Sequence, residues 1–319
     1  MLFRLIPLAF EFEALDPIDF PYGKLTNILR GALGLHLRKQ SCPPECQDSK
    51  SCPLPPGQTC LYRQLFEGEL GDSRPSGYRE PPRPFVFRSA HWKELSLAPH
   101  QTLSTALNLF DLRPEILTAI LSVHSHMGTQ GLGPGRSRLR LRKISQPVGS
   151  HHILWQSGSA SSLARPGAIT YDLDTPDRAA PHRIKAEFLT PTEFKSAGVI
   201  SHNASFDQLF RRLHERISFL MAHYDSGDFS AAPTTLLDAA SKITTLSQHL
   251  RPVELQRYST RTHQSHPLSG FVGHAEYEGD FSHLWPWLQA SEWAGIGRQT
   301  VWGKGHVRWS AIDYPGAMD

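Results

Sequence analysis

The sequence predicts an α+β protein made of two tandem ferredoxin-like domains, with a cysteine-rich insertion in the first. Three observations predict it. Residues 1–148 run strand, helix, strand, strand, helix, strand, which is the βαββαβ order of that fold. Residues 149–182 then become rich in Ser, Gly, Ala and Pro, the composition of a linker between domains. Residues 183–319 take up a similar element order, so the second half reads as a diverged copy. A length of 319 residues fits two domains, and 39% hydrophobic residues suffice for ordinary cores.

In the first domain, Leu2 to Glu13 is rich in Leu, Phe and Ile and reads as a strand, and Phe20-Pro21-Tyr22-Gly23 marks a turn. Between Leu25 and Arg38 the residues Leu25, Ile28, Leu29, Ala32, Leu33 and His36 recur at helical spacing and share one face. Gly31 and Gly34 fall on the other side. There they weaken the helix by about 1 kcal/mol each and leave room for a close approach.

Residues 41–62 form a loop holding all four cysteines: Cys42, Cys46, Cys52 and Cys60. The spacings are C-x3-C, C-x5-C and C-x7-C, among five prolines and Gly57. In a chain expected to be cytoplasmic, clustered cysteines point to a metal rather than to disulfides. Four thiolates at about 2.3 Å would close a tetrahedral zinc site with a structural role, since no position stays open for chemistry. The C-x2-C knuckle is missing, and a set of reduced structural thiols is the alternative reading.

The Pro-rich stretch Arg74 to Pro84 reads as irregular, Pro84 to Ser89 and Thr102 to Asp111 as strands, and Glu115 to Met127 as the second helix. After the glycine-rich turn Gly128 to Gly135 comes Arg136-Ser137-Arg138-Leu139-Arg140-Leu141-Arg142-Lys143. Strict period two sends Arg136, Arg138, Arg140 and Arg142 to one face of a strand and Leu139 and Leu141 to the other. Four like charges in register repel one another unless something anionic covers them, so this stripe, with Lys143, is expected to contact RNA phosphates.

The second domain opens with a strand at Arg183 to Leu189, after a short strand at His151 to Trp155 in the linker region. A long helix follows at Phe206 to Tyr224, with the apolar stripe Phe206, Leu209, Phe210, Leu213, Ile217 and Leu220. Leu236 to Leu250 also reads as helical, Val253 to Arg261 and Ser269 to Glu278 as a hairpin of strands, and Trp285 to Trp293 as the last helix.

That helix leads into Gly295, Gly297, Arg298, Gln299, Gly303, Lys304 and Gly305. Two glycine pairs with cations between them suit close approach to phosphate oxygens. A dinucleotide fingerprint follows a first strand and opens a helix, so the position of these glycines argues against it. The net charge is only +3, and it is the local concentration of basic residues that suggests nucleic acid. No apolar run approaches the ~18 residues of a membrane span. The start, with Arg4 and Glu11, lacks a signal-peptide pattern, which makes the cytoplasm the expected location.

Taken together, Phe271 to Asp280, the following helix and Gly295 to Gly305 resemble the C-terminal part of the CRISPR precursor-RNA processing endoribonucleases, RAMP proteins of the Cas-six family. Arg30-Gly31-Ala32-Leu33-Gly34 and Leu65-Phe66-Glu67 resemble their N-terminal half. The resemblance implies binding of CRISPR repeat RNA and cleavage without a catalytic metal. The 2′-OH attacks the adjacent phosphate, leaving a 2′,3′-cyclic phosphate and a 5′-OH. It also implies a catalytic histidine on or beside the first helix. His36 is the candidate, with Tyr22 and Lys39 as flanking groups, although Leu35 and not histidine follows Gly34. His151 and His152 are a further pair near the domain junction, and His263 and His266 read as surface residues. The expected groove lies between the domains, lined by the arginine stripe and the glycine-rich loop. A second reading is a non-catalytic RAMP subunit that holds crRNA among other Cas effector subunits, with the cysteine loop as a docking module.

Overall fold

The computed structural model describes residues 1–319 except 48–53, 56–59, 69–79, 90–91, 134, 149–151, 160–162, 197–198, 201–202, 226–232, 260–263 and 313–319. The chain divides into an N-terminal unit, Arg4–Ile169 with His223–Phe229, and a C-terminal unit, Met1–Phe3 with Thr170–Ala222 and Ser230–Asp319.

The first half of the chain runs β1 (Leu2–Ala14), β2 (Ile18–Phe20), α1 (Leu25–Ser41), α2 (Pro44–Gln47), α3 (Leu61–Phe66), β3 (Phe85–Arg88), β4 (Leu95–Leu97), β5 (Thr102–Leu109), α4 (Pro114–Met127), β6 (Leu139–Gln146) and β7 (His152–Gln156). Its sheet has the order β3-β5-β1-β6-β7. With β7 set aside, the strands that are second, third, first and fourth in the βαββαβ count lie side by side, which is the ferredoxin-like arrangement. The ladders β1–β5, β1–β6 and β3–β5 are all antiparallel. Phe10 on β1 stacks on His124 of α4 with ring centroids 3.9 Å apart, so the Phe10 side of the sheet faces the helices. Glu11 and Glu13 alternate with it and face away.

The second half runs β8 (Ile169–Asp172), β9 (Arg183–Thr192), β10 (Lys195–Ser196), β11 (Val199–Ile200), α5 (Phe206–Tyr224), α6 (Thr234–Ser241), β12 (Thr244–Val253), β13 (Gln256–Ser259), β14 (Gln264–Pro267), β15 (Gly270–Glu278), α7 (Trp285–Ala294), a 3₁₀ turn (Thr300–Trp302) and β16 (Val307–Ala311). Its sheet, β12-β15-β9-β16, repeats the same second-third-first-fourth order. The core of this unit gathers on α5, where Leu209, Phe210, Leu213 and Ile217 are fully buried, as the helical stripe predicts.

Four readings of local structure change. The stretch from Leu236 to Leu250 is not one helix; α6 ends at Ser241 and β12 begins at Thr244. Leu236, Ile243, Leu246 and Leu250 fit a helical period, but Thr244 and Thr245 are β-branched. Antiparallel pairing of Thr244–Val253 with Gly270–Glu278 prevails over the local period. The partner of β15 is therefore β12, and the segment after Val253 forms a separate small hairpin with β14. Gly34 does not lie on the open side of α1. It is buried, and a Cβ there would stand 3.0 Å from Phe66 Cε1, so it admits α3 against α1. Finally, β6 starts only at Leu139, and Arg136 sits before it in a turn with φ 48°.

Candidate active site and nucleic-acid interface

His36 lies on the apolar face of α1, between the buried Leu33 and Leu37, and is only 5% exposed. Burial holds its imidazole below the usual histidine range, and the nearby charges of Lys39 and His126 push in the same direction. The ring is therefore neutral at pH 7. Lys39 is exposed one turn further on, and His126 is exposed near the end of α4. An imidazole held below its usual range, with the Lys39 ammonium nearby, is equipped to accept a proton from a hydroxyl while positive charge remains beside the developing anion. Tyr22 is 40% exposed in the turn before α1. Sequence reasoning did not single out His126. The available signal was its place in the last turn of the second helix, since both helices of a βαββαβ unit cover the same face of the sheet.

The other buried histidines of the described residues have partners that explain them. His124 bonds Ile120 O through Nδ1 at 2.7 Å, and its pKa is lowered to about 4 by burial. His214 of α5 stacks on Trp287 at 4.3 Å and is likewise lowered to about 4. His152 is exposed on β7 and His266 lies in β14, whereas His151 and His263 fall outside the described residues.

The arginine stretch is partly neutralised by acids that lie beside it. Strand β6 pairs with β1, and Glu13 stands opposite Arg140 and Glu11 opposite Lys143. Arg142 Nη2 meets Glu13 Oε2 at 2.6 Å, Lys143 Nζ meets Glu11 Oε1 at 2.6 Å, and Arg138 Nε donates to Asp16 Oδ2 at 2.8 Å. Hydrogen bonds from Arg138 depress the Asp16 carboxyl to about 2. The repulsion among four arginines is thus relieved within the protein, and no external anion is needed for it. Arg140 and Arg136 are both exposed and make no ion pair among the described residues.

In the glycine-rich loop the interior is as ordered as the surface. Gly295, Gly297, Gly303 and Gly305 all have φ between 67° and 82°. A Cβ at Gly297 would lie 2.3 Å from Glu193 O, and one at Gly305 would lie 2.0 Å from Ile296 O. These glycines let the loop close on itself and on the end of β9. The loop's N–H groups are largely occupied as well: Ile296 donates to Gly305 O, Arg298 to Glu193 O, Gly303 to Thr300 O and Gly305 to Pro191 O. Lys304 is fully buried; its Nζ donates to Ser269 O at 2.6 Å, Gln299 Oε1 at 2.8 Å and Glu193 Oε2 at 3.3 Å. Lys304 therefore faces inward, away from any phosphate. Arg298 remains half exposed while Nη1 donates to Glu193 Oε1 at 2.6 Å. The outward edge of the loop is Gly297-Arg298-Gln299. Glu193, which organises all of this, was invisible as a site residue in the sequence.

In the cysteine loop, Cys42 Sγ and Cys60 Sγ are 3.8 Å apart, and Cys46 also acts on Cys42. Burial and these neighbouring sulfurs push the Cys42 thiol up to about 12. Cys52 lies outside the described residues. Among the described residues no group of three His, Cys, Asp or Glu is set as a metal site, and no helix is long and apolar enough to cross a membrane.

Residues 3–167 match AF_1859_N, an N-terminal domain family. Residues 186–307 match the family described as CRISPR-associated endoribonuclease Cas6. No curated protein matches the chain in sequence. Among solved structures, a product complex of Cas6 (TTHB231) is similar with a TM-score of 0.57 at 16% identity, covering 96% of this chain and 100% of that one. Thermus thermophilus Cas6 (TTHB231) alone gives 0.55 at 15% identity, over 96% and 98%. A partial Cas6-RT-Cas1–Cas2 complex gives 0.55 at 12% identity, over 96% of this chain and 46% of the other. At these identities the structural likeness establishes the fold.

Proposed function

We propose that this chain, whose residues 186–307 match the family of CRISPR-associated endoribonuclease Cas6, cleaves CRISPR precursor RNA within the repeat, by attack of a ribose 2′-OH and without a catalytic metal. The observation that carries this reading is His36: a buried, neutral imidazole with Lys39 and His126 as its electrostatic neighbours. In the proposed reaction His36 Nδ1 or Nε2 takes the 2′-OH proton. The oxygen attacks phosphorus, the bond to the 5′ oxygen breaks, and the products are a 2′,3′-cyclic phosphate and a 5′-OH. Lys39 stabilises the crowded phosphorane, and His126 protonates the leaving oxygen. Tyr22 is placed in the same neighbourhood of sequence and serves in positioning.

RNA is held by Arg136, Arg140 and Arg142 with Lys143, and by the outward edge Gly297-Arg298-Gln299. Arg138, Gly295, Gly303, Lys304 and Gly305 act behind these groups by fixing their geometry. The protein partners we propose are other Cas proteins, in line with the Cas6-RT-Cas1–Cas2 relative.

One gel tests the reading. The protein is incubated in excess EDTA with repeat RNA, and with the same RNA carrying a 2′-deoxy residue at the cut site. The expected result is cleavage of the first only, with His36→Ala slowing single-turnover cleavage by about 10²–10⁴-fold at unchanged affinity. Tight binding without cleavage would move the protein to the RNA-holding class and return His36 to the core.

A further inference from the structure

We propose that His100, with Arg140 and Arg142, forms a binding site for an RNA phosphate on the outer face of the N-terminal sheet, anchored by Glu13; the site rests on the RNA-binding reading above and adds a residue to it. Backbone strain marks the residue. Among the described residues three other than glycine have positive φ: Arg136 at 48°, Gln299 at 61° and His100 at 71°. That conformation is costly for a residue with a side chain, and it persists where the side chain has a use. Arg136 and Gln299 lie on the two stretches proposed above to hold RNA. His100 lies in neither, and no sequence motif points to it. It closes the turn between β4 and β5, where Gln101 N donates to Ala98 O at 3.1 Å. Pro99 takes the second position of this turn and His100 the third, which at positive φ ordinarily carries Gly or Asn.

The imidazole reaches Glu13 on β1. His100 Nδ1 lies 2.8 Å from Glu13 Oε1, and because a carboxylate only accepts, the hydrogen sits on Nδ1. The side chain is 83% exposed, so Nε2 is the nitrogen open to a ligand. The turn is pinned to the same strand: His100 N donates to Ala14 O at 2.7 Å and Ala14 N to Gln101 O at 2.9 Å. Glu13 Oε2 also meets Arg142 Nη2 at 2.6 Å, and Glu13 stands opposite Arg140 in the β1–β6 ladder. The hydrogen bond from His100, and after it the charge of Arg142, hold the Glu13 carboxyl below the usual carboxylate range, so it is ionised at pH 7. One negative charge thus stands among three basic side chains that approach from either side of β1. Stability does not account for the arrangement, because an exposed pair contributes little and glycine at position 100 would remove the strain. A phosphate does account for it. Both nitrogens of a charged imidazole donate, so the ring bridges Glu13 through Nδ1 and a phosphate oxygen through Nε2. Arg142, fixed by the same carboxylate, and Arg140 meet the remaining oxygens.

The test is fluorescence anisotropy on the full-length protein with repeat RNA and with oligouridylate, beside thermal unfolding of the same samples. His100→Gly suits the turn and removes the imidazole. The Kd for both RNAs should rise about tenfold, the loss of one hydrogen bond to a charged group. The slope of log affinity against log salt should become shallower by about 0.7, one single-strand phosphate. The melting temperature should not fall. Combined with Arg142→Ala, the loss should be less than additive, because both side chains serve one phosphate. A His100→Gly protein with the parent's affinity and salt slope overturns the proposal, and so do fully additive losses. A melting temperature that falls together with affinity overturns it as well, since the imidazole would then be a structural contact, as does a parent protein that binds neither RNA. Binding is read without cleavage, so a parent that holds RNA uncut defeats the cleavage reading and leaves the His100→Gly result to decide this one.

Discussion

The two basic stretches of this protein balance their charge in different ways. Along β6 the basic residues are met by separate acids: Asp16 holds Arg138, Glu13 holds Arg142 and also His100, and Glu11 holds Lys143. These pairs are at the surface, and Arg140 remains unpaired among the described residues. In the glycine-rich loop one buried carboxylate, Glu193, serves both Arg298 and Lys304. The first arrangement tunes how much positive charge reaches the solvent. The second sets the shape of a loop, and only one of its two cations is exposed. A basic residue in sequence can therefore be a contact or a scaffold, and burial decides which.

The largest effect should come from the scaffold. Lys304→Met leaves the Glu193 side chain and the Ser269 carbonyl without their ammonium partner, and should lower unfolding free energy by about 3 kcal/mol in urea titration, near the low end for breaking a buried pair. It should also weaken repeat-RNA binding at every salt concentration. A change in salt slope with unaltered stability would instead make Lys304 a phosphate contact and erase the contrast. Gly305→Ala comes next, at about 2 kcal/mol, since a side chain is strained at φ 67° and its Cβ meets Ile296 O.

The two units also share a feature that titration can expose. His124 and His214 each have a folded pKa of about 4 against an ordinary 6.5. Above pH 6.5 neither state binds the proton; between 6.5 and about 4 only the unfolded chain does, so stability falls as pH drops through this window. At pH 5 the loss is about 2 kcal/mol per histidine, from about 1.36 kcal/mol per pKa unit. Urea midpoints measured from pH 7 to 5 should show it, and His124→Phe should remove about half. A flat profile would mean that these rings are not held neutral by burial.

The smallest effect belongs to the strand. Glu13→Gln with Asp16→Asn should scarcely change stability, because exposed pairs are screened. It should, however, tighten RNA binding and steepen its salt dependence by about 0.7–0.9 per phosphate newly contacted. Arg140→Ala should do the reverse. If the acid substitutions leave the slope unchanged, the β6 face is not a phosphate-binding surface.

Much of the fold was legible in order and period. The helices at Leu25, Glu115, Phe206 and Trp285 begin within a residue of their observed starts, because each buries a stripe spaced at 3–4 residues. The stretch after Leu236 was misread because its apolar residues satisfy both periods, and a long-range ladder settles such cases. At the candidate site, His36 was readable as a histidine within an apolar stripe. Its relation to His126 was not, since it depends on how α1 and α4 pack. The acids beside β6 were within reach: Glu11 and Glu13 alternate along the first strand, and the ferredoxin order places that strand next to the fourth. Glu193 offered no such pattern, because a lone glutamate after a strand looks the same whether solvated or buried.

The hub at Glu193 bears on the thermodynamics of association. Arg298 and Gly305 donate their amide hydrogens into the end of β9, and Ile296 donates to Gly305 O within the loop. These amides should exchange with solvent far more slowly than those of an ordinary surface loop, at rates closer to a sheet's. A segment already fixed in this way gives up little conformational entropy when a ligand arrives, so the free energy of each contact made along Gly297-Arg298-Gln299 is retained as affinity instead of being spent on ordering.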